Sequence, residues 1–242
     1  AAMCGITGNF DQAIKESSRV LNVVGRVLPA TLGVTRLGAE LDDGTILEGE
    51  SNISSATRPI KRVFFDPPVV APLEEVIAAI RNADAIVLGP GSLFTSVAPN
   101  FLVGRIAREV AHAHAVKIYV CNVMTQPGET DGMTAADHVE ALLGNAGERV
   151  CDYVIVNDEL PSRLLGAYAQ EGQLPVTPDV DRIAALGLQP VRAAVMGETQ
   201  TVRHDPEKLA TVVLGIIDRI VAERATLVKL KPNVAAAARA SS

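Results

Sequence analysis

Short apolar runs alternate with amphipathic stretches over most of this chain. Ala85-Ile-Val-Leu88 and Val116-Lys-Ile-Tyr-Val-Cys121 have strand length and β-branched residues. Each is followed by a polar, glycine-punctuated loop and then by a helical period. Residues 153–156 and 191–196 predict two more strands. Helical periods cover 72–82, with Pro at the start and acids in the first turn, then 99–113, 162–170 with Gly172 as its stop, and 205–225. Another helix starts at Thr134, with Asp137 three residues on as a short capping box. Asp205-Pro-Glu207 is a strong helix start.

Ahead of this alternation the pattern is different. Residues 11–21 predict an amphipathic helix with Ala13, Ile14, Ser17 and Leu21 on one face, ended by Gly25. A β-rich insert then covers about 26–66. Strands are expected from Val27 onward, over 36–41 and 45–50 around Asp42-Asp43-Gly44, and over 60–65. Asp-Gly between alternating segments is a hairpin signal. The insert is a candidate for a small lobe of its own, within a single domain over 1–230. The Ala/Ser-rich tail, 231–242, is expected to be disordered. Alternating strands and helices predict an α/β, Rossmann-like fold: a mostly parallel sheet with helices on both faces.

Composition narrows the function classes. Of 242 residues, 48% are hydrophobic and 21% charged, as in an ordinary globular chain with a sizeable core. Aromatics are 3% with no Trp, so aliphatic side chains must build the core. The net charge of −6, with no Lys/Arg cluster, argues against a nucleic-acid reader. Cys4, Cys121 and Cys151 have no metal or disulfide spacing, which favours a reducing cytoplasm. No apolar run reaches the length of a membrane span. The sequence opens at Ala1 without an initiator Met, so an upstream segment is expected.

Candidate chemistry sits in the two loops after the apolar runs, where a parallel sheet presents ligands. In the first, Gly89 and Gly91 let backbone approach a ligand, while Ser92, Thr95 and Ser96 bring hydroxyls to a helix start. A tight turn that needs Gly for its backbone explains Gly89-Pro-Gly91 equally well. The second loop carries Asn122, Thr125, Gln126, Glu129, Thr130 and Asp131 between strand end and helix, with Gly128 and Gly132 as hinges. Glu129 and Asp131 are candidates for an acid–base pair or for holding Mg²⁺, and equally for plain surface charges. His138 follows this loop and is a candidate to touch the site. Arg203-His204 reads by default as part of a helix cap, with Arg203 a candidate to neutralise a phosphate. His112 and His114, two apart at a helix end, cannot pair on one face. All of this depends on residues 122–131 facing a cleft shared with 89–96.

Several segments are familiar as a set. They are Ser18-Arg-Val-Leu-Asn-Val-Val-Gly-Arg-Val-Leu-Pro29, Gly49-Glu-Ser-Asn-Ile53, Gly89-Pro-Gly-Ser-Leu-Phe-Thr-Ser96, Cys121-Asn-Val-Met-Thr-Gln-Pro-Gly-Glu-Thr-Asp-Gly132 and Arg203-His-Asp-Pro206. Together they resemble the gluconeogenesis factor family (YvcK), from Gly8 to about Ala225. The wider superfamily includes the CofD 2-phospho-L-lactate transferase, whose loop is of a Gly-Pro-Ser-Asn type. The resemblance implies a cytoplasmic, CofD-like protein that binds UDP-sugars such as UDP-N-acetylglucosamine or UDP-glucose. It also implies a need for the protein in cell shape and in growth on gluconeogenic carbon sources. With the loops, it nominates Gly89, Gly91, Ser92, Thr95, Ser96, Asn122, Thr125, Gln126, Gly128, Thr130 and Arg203 as ligand-binding. The alternative is a transferase moving a phospholactyl group from a nucleotide diphosphate to a deazaflavin with Mg²⁺. Homo-oligomers and cell-wall synthesis or regulatory proteins stay open as partners. The family's Gly-Gly-Gly-Thr-Gly loop and Asp-Asp-Gly-Gly-Ser segment do not occur in this sequence.

Overall fold

The computed structural model describes residues 10–20 and 24–230. The expected disordered tail, 231–242, lies outside the described residues, as does Leu21. The chain opens with α1 (Phe10–Val20). An antiparallel sheet follows, built from β1 (Arg36–Leu41), β2 (Ile46–Glu48) and, after a one-turn helix α2 (Glu50–Ile53), β3 (Ile60–Asp66). Its order is β2-β1-β3. The Asp-Asp-Gly turn forms as the pattern predicts. Leu41 N–H donates to the Thr45 carbonyl at 2.9 Å, and Gly44 takes φ +86°.

The first strand begins at Arg36 rather than Val27. Ala30 and Thr31 lie instead beside 71–73, where Leu73 N–H reaches the Ala30 carbonyl and the Thr31 hydroxyl the Ala71 carbonyl. Ala39, Leu41, Ile60 and Val63 of this sheet join the main apolar core, and β3 packs against the Ala98–Leu102 turn and the helix at Ala135–Ala146.

Then come α3 (Glu74–Arg81), β4 (Ala85–Leu88), α4 (Ile106–His112), β5 (Val116–Val120), α5 (Ala135–Ala146) and β6 (Tyr153–Asn157). The chain continues with α6 (Leu165–Gln170), α7 (Val180–Ala185), β7 (Gln189–Ala193), β8 (Met196–Glu198), β9 (Val202–His204) and α8 (Pro206–Leu230). Strands β4-β5-β6-β7 form the parallel sheet in that order. Every residue of β5 is buried, as its apolar run requires of a parallel strand covered on both faces. Alternation divides its side chains. Val116, Ile118 and Val120 pack towards Ile216 and Ile220 of α8, while Tyr119 and Cys121 face the core that α5 shares through Ala136, Val139 and Leu142.

Two helix ends form as the pattern predicts. Thr134 and Asp137 make a reciprocal capping box on α5. Asp205 accepts the N–H groups of Glu207 and Lys208 at 3.0 Å each and starts α8. Elsewhere the tertiary structure overrides the periodicity. The single helix expected over 99–113 is broken at Gly104, whose φ is +45° and where a Cβ would lie 2.7 Å from Pro72 Cδ. A wide turn at Leu93–Val97 and a tight one at Ala98–Leu102 precede it. The strand expected over 191–196 divides at Ala193. Val195 packs under the parallel sheet, and Met196 leaves it to pair with β9.

Candidate functional site

The parallel strands end in register, so their exits lie along one edge. Pro90, Gly91 and Ser92 leave β4, and Asn122 to Gln126 leave β5. The antiparallel β8–β9 hairpin folds over the same edge, bringing Val202, Arg203 and His204 opposite the loops. Together with Gln173 these residues enclose a cleft of about 540 Å³. The two loops expected to share a cleft therefore do so, although only in part.

Three polar side chains tie the loops together. Asn122 Nδ2 donates to Gln126 Oε1 at 3.1 Å, and Gln126 Nε2 donates to Ser92 Oγ at 2.8 Å. The chain of bonds orients each amide and leaves the Ser92 hydroxyl proton and Asn122 Oδ1 for a ligand. Val123, Met124 and Val202 supply an apolar patch beside them, backed by Met196, Leu164 and Tyr168. Arg203 is the one formally charged side chain among the lining residues, and no ion pair engages it among the described residues. The cleft therefore combines an amide wall, an apolar floor and one uncompensated cation. That combination suits an anionic ligand with a hydrogen-bonding body.

Of the expected ligand-binding residues, Gly91, Ser92, Asn122, Thr125, Gln126 and Arg203 line this cleft. Thr125 is nevertheless already engaged. It is 2% exposed, its N–H donates to the Leu174 carbonyl at 2.7 Å, and its hydroxyl accepts Leu174 N–H at 2.9 Å. It stitches the loop to residues 174–176.

Other expected residues lie elsewhere. Gly89 is held by geometry, with φ +80° and a would-be Cβ 3.3 Å from the Val120 carbonyl oxygen. The steric explanation of that glycine is sufficient. Gly89 and Ser96 line a second, mostly apolar cavity of about 300 Å³ behind the Pro90-Gly91 wall. Thr130 is fully buried, and its hydroxyl accepts Gln126 N–H at 2.9 Å. Gly128 presses on the β-rich segment, where a Cβ would stand 2.8 Å from the Ser54 carbonyl oxygen.

Neither candidate acid–base carboxylate faces the cleft. Glu129 is 4% exposed and accepts the hydroxyls of Thr95 at 2.9 Å and Ser54 at 3.1 Å, with Phe94 N–H at 3.3 Å. It stands where a ligand phosphate near Thr95 had been expected. Asp131 accepts Gly128 N–H at 2.7 Å and closes the loop on itself. A Mg²⁺ ion needs oxygen ligands, usually carboxylates. No Asp or Glu lines the cleft, and no cluster of three or more metal-ligating side chains exists among the described residues. The residues do not fit that ion.

His138 also lies away from the cleft. It is fully buried in α5 with Nδ1 on the Thr134 carbonyl at 2.8 Å, and burial lowers its pKa. His204 is the residue that periodicity missed. It lies on β9, with Nε2 on the Cys121 carbonyl at 3.1 Å, which leaves Nδ1 as an acceptor in the neutral ring. Burial lowers its pKa, against the raising effect of that carbonyl bond. The Cys121 thiol is buried and pushed up to about 12, so it is not a nucleophile. The signal for β9 was the alternation Val202-Arg203-His204, too short to stand out beside the strong cap at Asp205.

Comparison with known proteins agrees with this architecture. The family model described as 2-phospho-L-lactate transferase CofD matches residues 1–196. A protein named gluconeogenesis factor from Bacillus subtilis is 45% identical over 219 residues, 90% of this chain and 69% of its own. One of the same name from Halalkalibacterium halodurans is 45% identical over 88% of this chain and 67% of its own. A crystal structure of a UPF0052-family protein from Bacillus halodurans superposes with a TM-score of 0.83 at 44% identity. That superposition covers 88% of this chain and 69% of that one.

Proposed function

The chain belongs to the 2-phospho-L-lactate transferase CofD family, with relatives named gluconeogenesis factor, and from that premise we propose that it is a UDP-sugar-binding regulatory protein. The single observation that carries this reading is the cleft at the sheet's carboxyl edge, with its Asn122–Gln126–Ser92 amide wall and unpaired Arg203. A nucleotide diphosphate supplies the anion for Arg203. The sugar and base supply hydroxyls and amides for the wall, and apolar ring faces for Val123, Met124 and Val202. UDP-N-acetylglucosamine and UDP-glucose are the ligands of that class put forward here. The setting is the cytoplasm, and the role is support of cell shape and of growth on gluconeogenic carbon sources.

Binding rather than group transfer is the preferred activity. Glu129 and Asp131 spend their oxygens inside the protein, so the cleft walls carry no carboxylate for proton abstraction. Calorimetric titration of the chain with UDP-N-acetylglucosamine tests the proposal. Binding heat and a rise in Tm are expected. Arg203→Gln is expected to weaken affinity roughly tenfold to a hundredfold, the worth of a charge-assisted hydrogen bond. Absence of both heat and thermal shift in the unmodified chain overturns it.

A further inference from the structure

The cation of the cleft stands on the least self-sufficient element near it. Strands β8 and β9 have three residues each and pair only with one another. A two-stranded ribbon of that length is marginal in water without outside support. Support reaches the base of the hairpin through His204 Nε2 on the Cys121 carbonyl, and through Asp205 N–H on the Val195 carbonyl at 2.8 Å. Support at the tip centres on the Glu198 carboxylate, with further bonds from the Arg163 guanidinium and the Tyr168 hydroxyl.

Glu198 ends β8, directly opposite Val202. Its carboxylate accepts Leu164 N–H at 2.6 Å, Arg163 N–H at 2.7 Å and Ser162 N–H at 3.1 Å, and the Ser162 hydroxyl at 2.9 Å. Arg163 returns a bond from its guanidinium to the Glu198 carbonyl at 2.7 Å. Helix α6 begins at Leu165 rather than at Ser162, and these bonds satisfy the free amides of the turn ahead of it. The Ser162, Arg163 and Leu164 amides are turned outward to the hairpin. From α6, the Tyr168 hydroxyl accepts Val202 N–H at 2.9 Å, one residue before Arg203. Burial works against the charge of Glu198, yet the Leu164, Ser162 and Arg163 donors outweigh it and hold its pKa down to about 2. The tether is therefore ionised throughout the neutral range.

We propose that Glu198 is the positioning residue of the cleft: it touches no ligand, and by locking the 162–164 turn to the tip of the β8–β9 hairpin it holds Arg203 in its binding position. The inference rests on the ligand reading above for its affinity readout, but not for its structural one.

The test is a double-mutant cycle of Glu198→Gln and Arg203→Gln in the 242-residue chain, titrated with UDP-N-acetylglucosamine, together with hydrogen exchange at the Val202 amide. A carboxamide keeps the volume but loses half the acceptor capacity. Glu198→Gln is expected to weaken binding roughly twofold to thirtyfold, the span for residues that act through others. The double variant is expected to bind no more weakly than Arg203→Gln alone. Val202 is expected to lose exchange protection in Glu198→Gln, with or without ligand, while the amides of β5 keep theirs. Additive losses of affinity, or an unchanged Val202 exchange rate, overturn the inference. If the unmodified chain binds no nucleotide sugar while Val202 exchange still responds, the ligand reading fails and the tether stands. Should Glu198→Gln fail to fold, Ser162→Ala removes one donor from the same carboxylate and is expected to give the same non-additivity at smaller amplitude.

Discussion

Residues 122–126 and 127–131 are two halves of one loop with nearly the same polar chemistry and opposite duties. The first half faces the cleft, where Asn122 and Gln126 keep hydrogen-bonding capacity for a ligand. The second half turns away and joins the β-rich sheet to the turn after β4. Gly128 touches the backbone of Ser54 and Ala56, and Glu129 collects donors from Ser54, Phe94 and Thr95. Thr130 and Asp131 hold the loop's own backbone. A dense polar segment after a buried strand is thus no reliable sign of a ligand contact. Buried polar groups must find partners, and a loop crossing between two packed sheets uses them to fold.

Substitutions break this comparison most strongly in the second half. Gly128→Ala is expected to cost about 2–4 kcal/mol in urea unfolding, because a Cβ meets fixed backbone at a positive φ. Glu129→Gln is expected to cost about 2–3 kcal/mol by the same measurement, since the buried Phe94 N–H and the part-buried Thr95 and Ser54 hydroxyls lose a charged acceptor. Neither change alters a group that lines the cleft. A large drop in ligand affinity at full stability for Glu129→Gln would dissolve the division of labour.

The first half sharpens the contrast through two neighbours. Thr125→Ala leaves Leu174 N–H without its acceptor, and about 1–3 kcal/mol of stability is expected to go with it. Asn122→Ala is expected to change stability by less than about 0.5 kcal/mol, yet to weaken nucleotide-sugar binding about fivefold, measured by calorimetry. Thr125 lies in the cleft wall but behaves as a residue of the second half.

A pH-dependent effect comes from His138, just beyond the loop. Burial lowers its folded-state pKa, whereas the unfolded chain takes up the proton near 6.5. The unfolded state therefore binds more protons just below 6.5. The stability from a neutral His138 is present in full above that pH, and it is lost as pH falls through the lower folded-state value. Denaturant midpoints from pH 7.5 to 5 are expected to show this decline, and His138→Gln to flatten it, with a slope no steeper than about 1.4 kcal/mol per pH unit.

Local signals in the sequence were dependable where the physics is local. The Asp42-Asp43-Gly44 hairpin, the Thr134–Asp137 capping box and the Asp205 helix start need only residues within a few positions of one another. The β5 run announced a strand buried on both sides, and the resemblance carried by 121–132 led to the right family. The signals failed where a distant contact overrides the local period. At Gly104 the helical period ends on a φ of +45°, where a Cβ would lie 2.7 Å from Pro72 Cδ, and ahead of α6 the amides of Ser162 to Leu164 are bound by Glu198. The short strand at 202–204 exists only because β8 turns back to meet it.

The sequence by itself determined the main strands and helices of the parallel sheet, that this sheet is covered on both faces, and that two polar loops leave the same edge of it. Those properties follow from apolar period, turn chemistry and caps, all encoded over a few neighbouring residues. Tertiary structure alone decided which loop groups are spent on folding and which stay open to a ligand. That choice depends on the partners each donor and acceptor meets across the fold. It turned Glu129 inward to the Phe94 amide, and it placed Arg203 and His204 opposite Ser92 and Asn122 in the cleft.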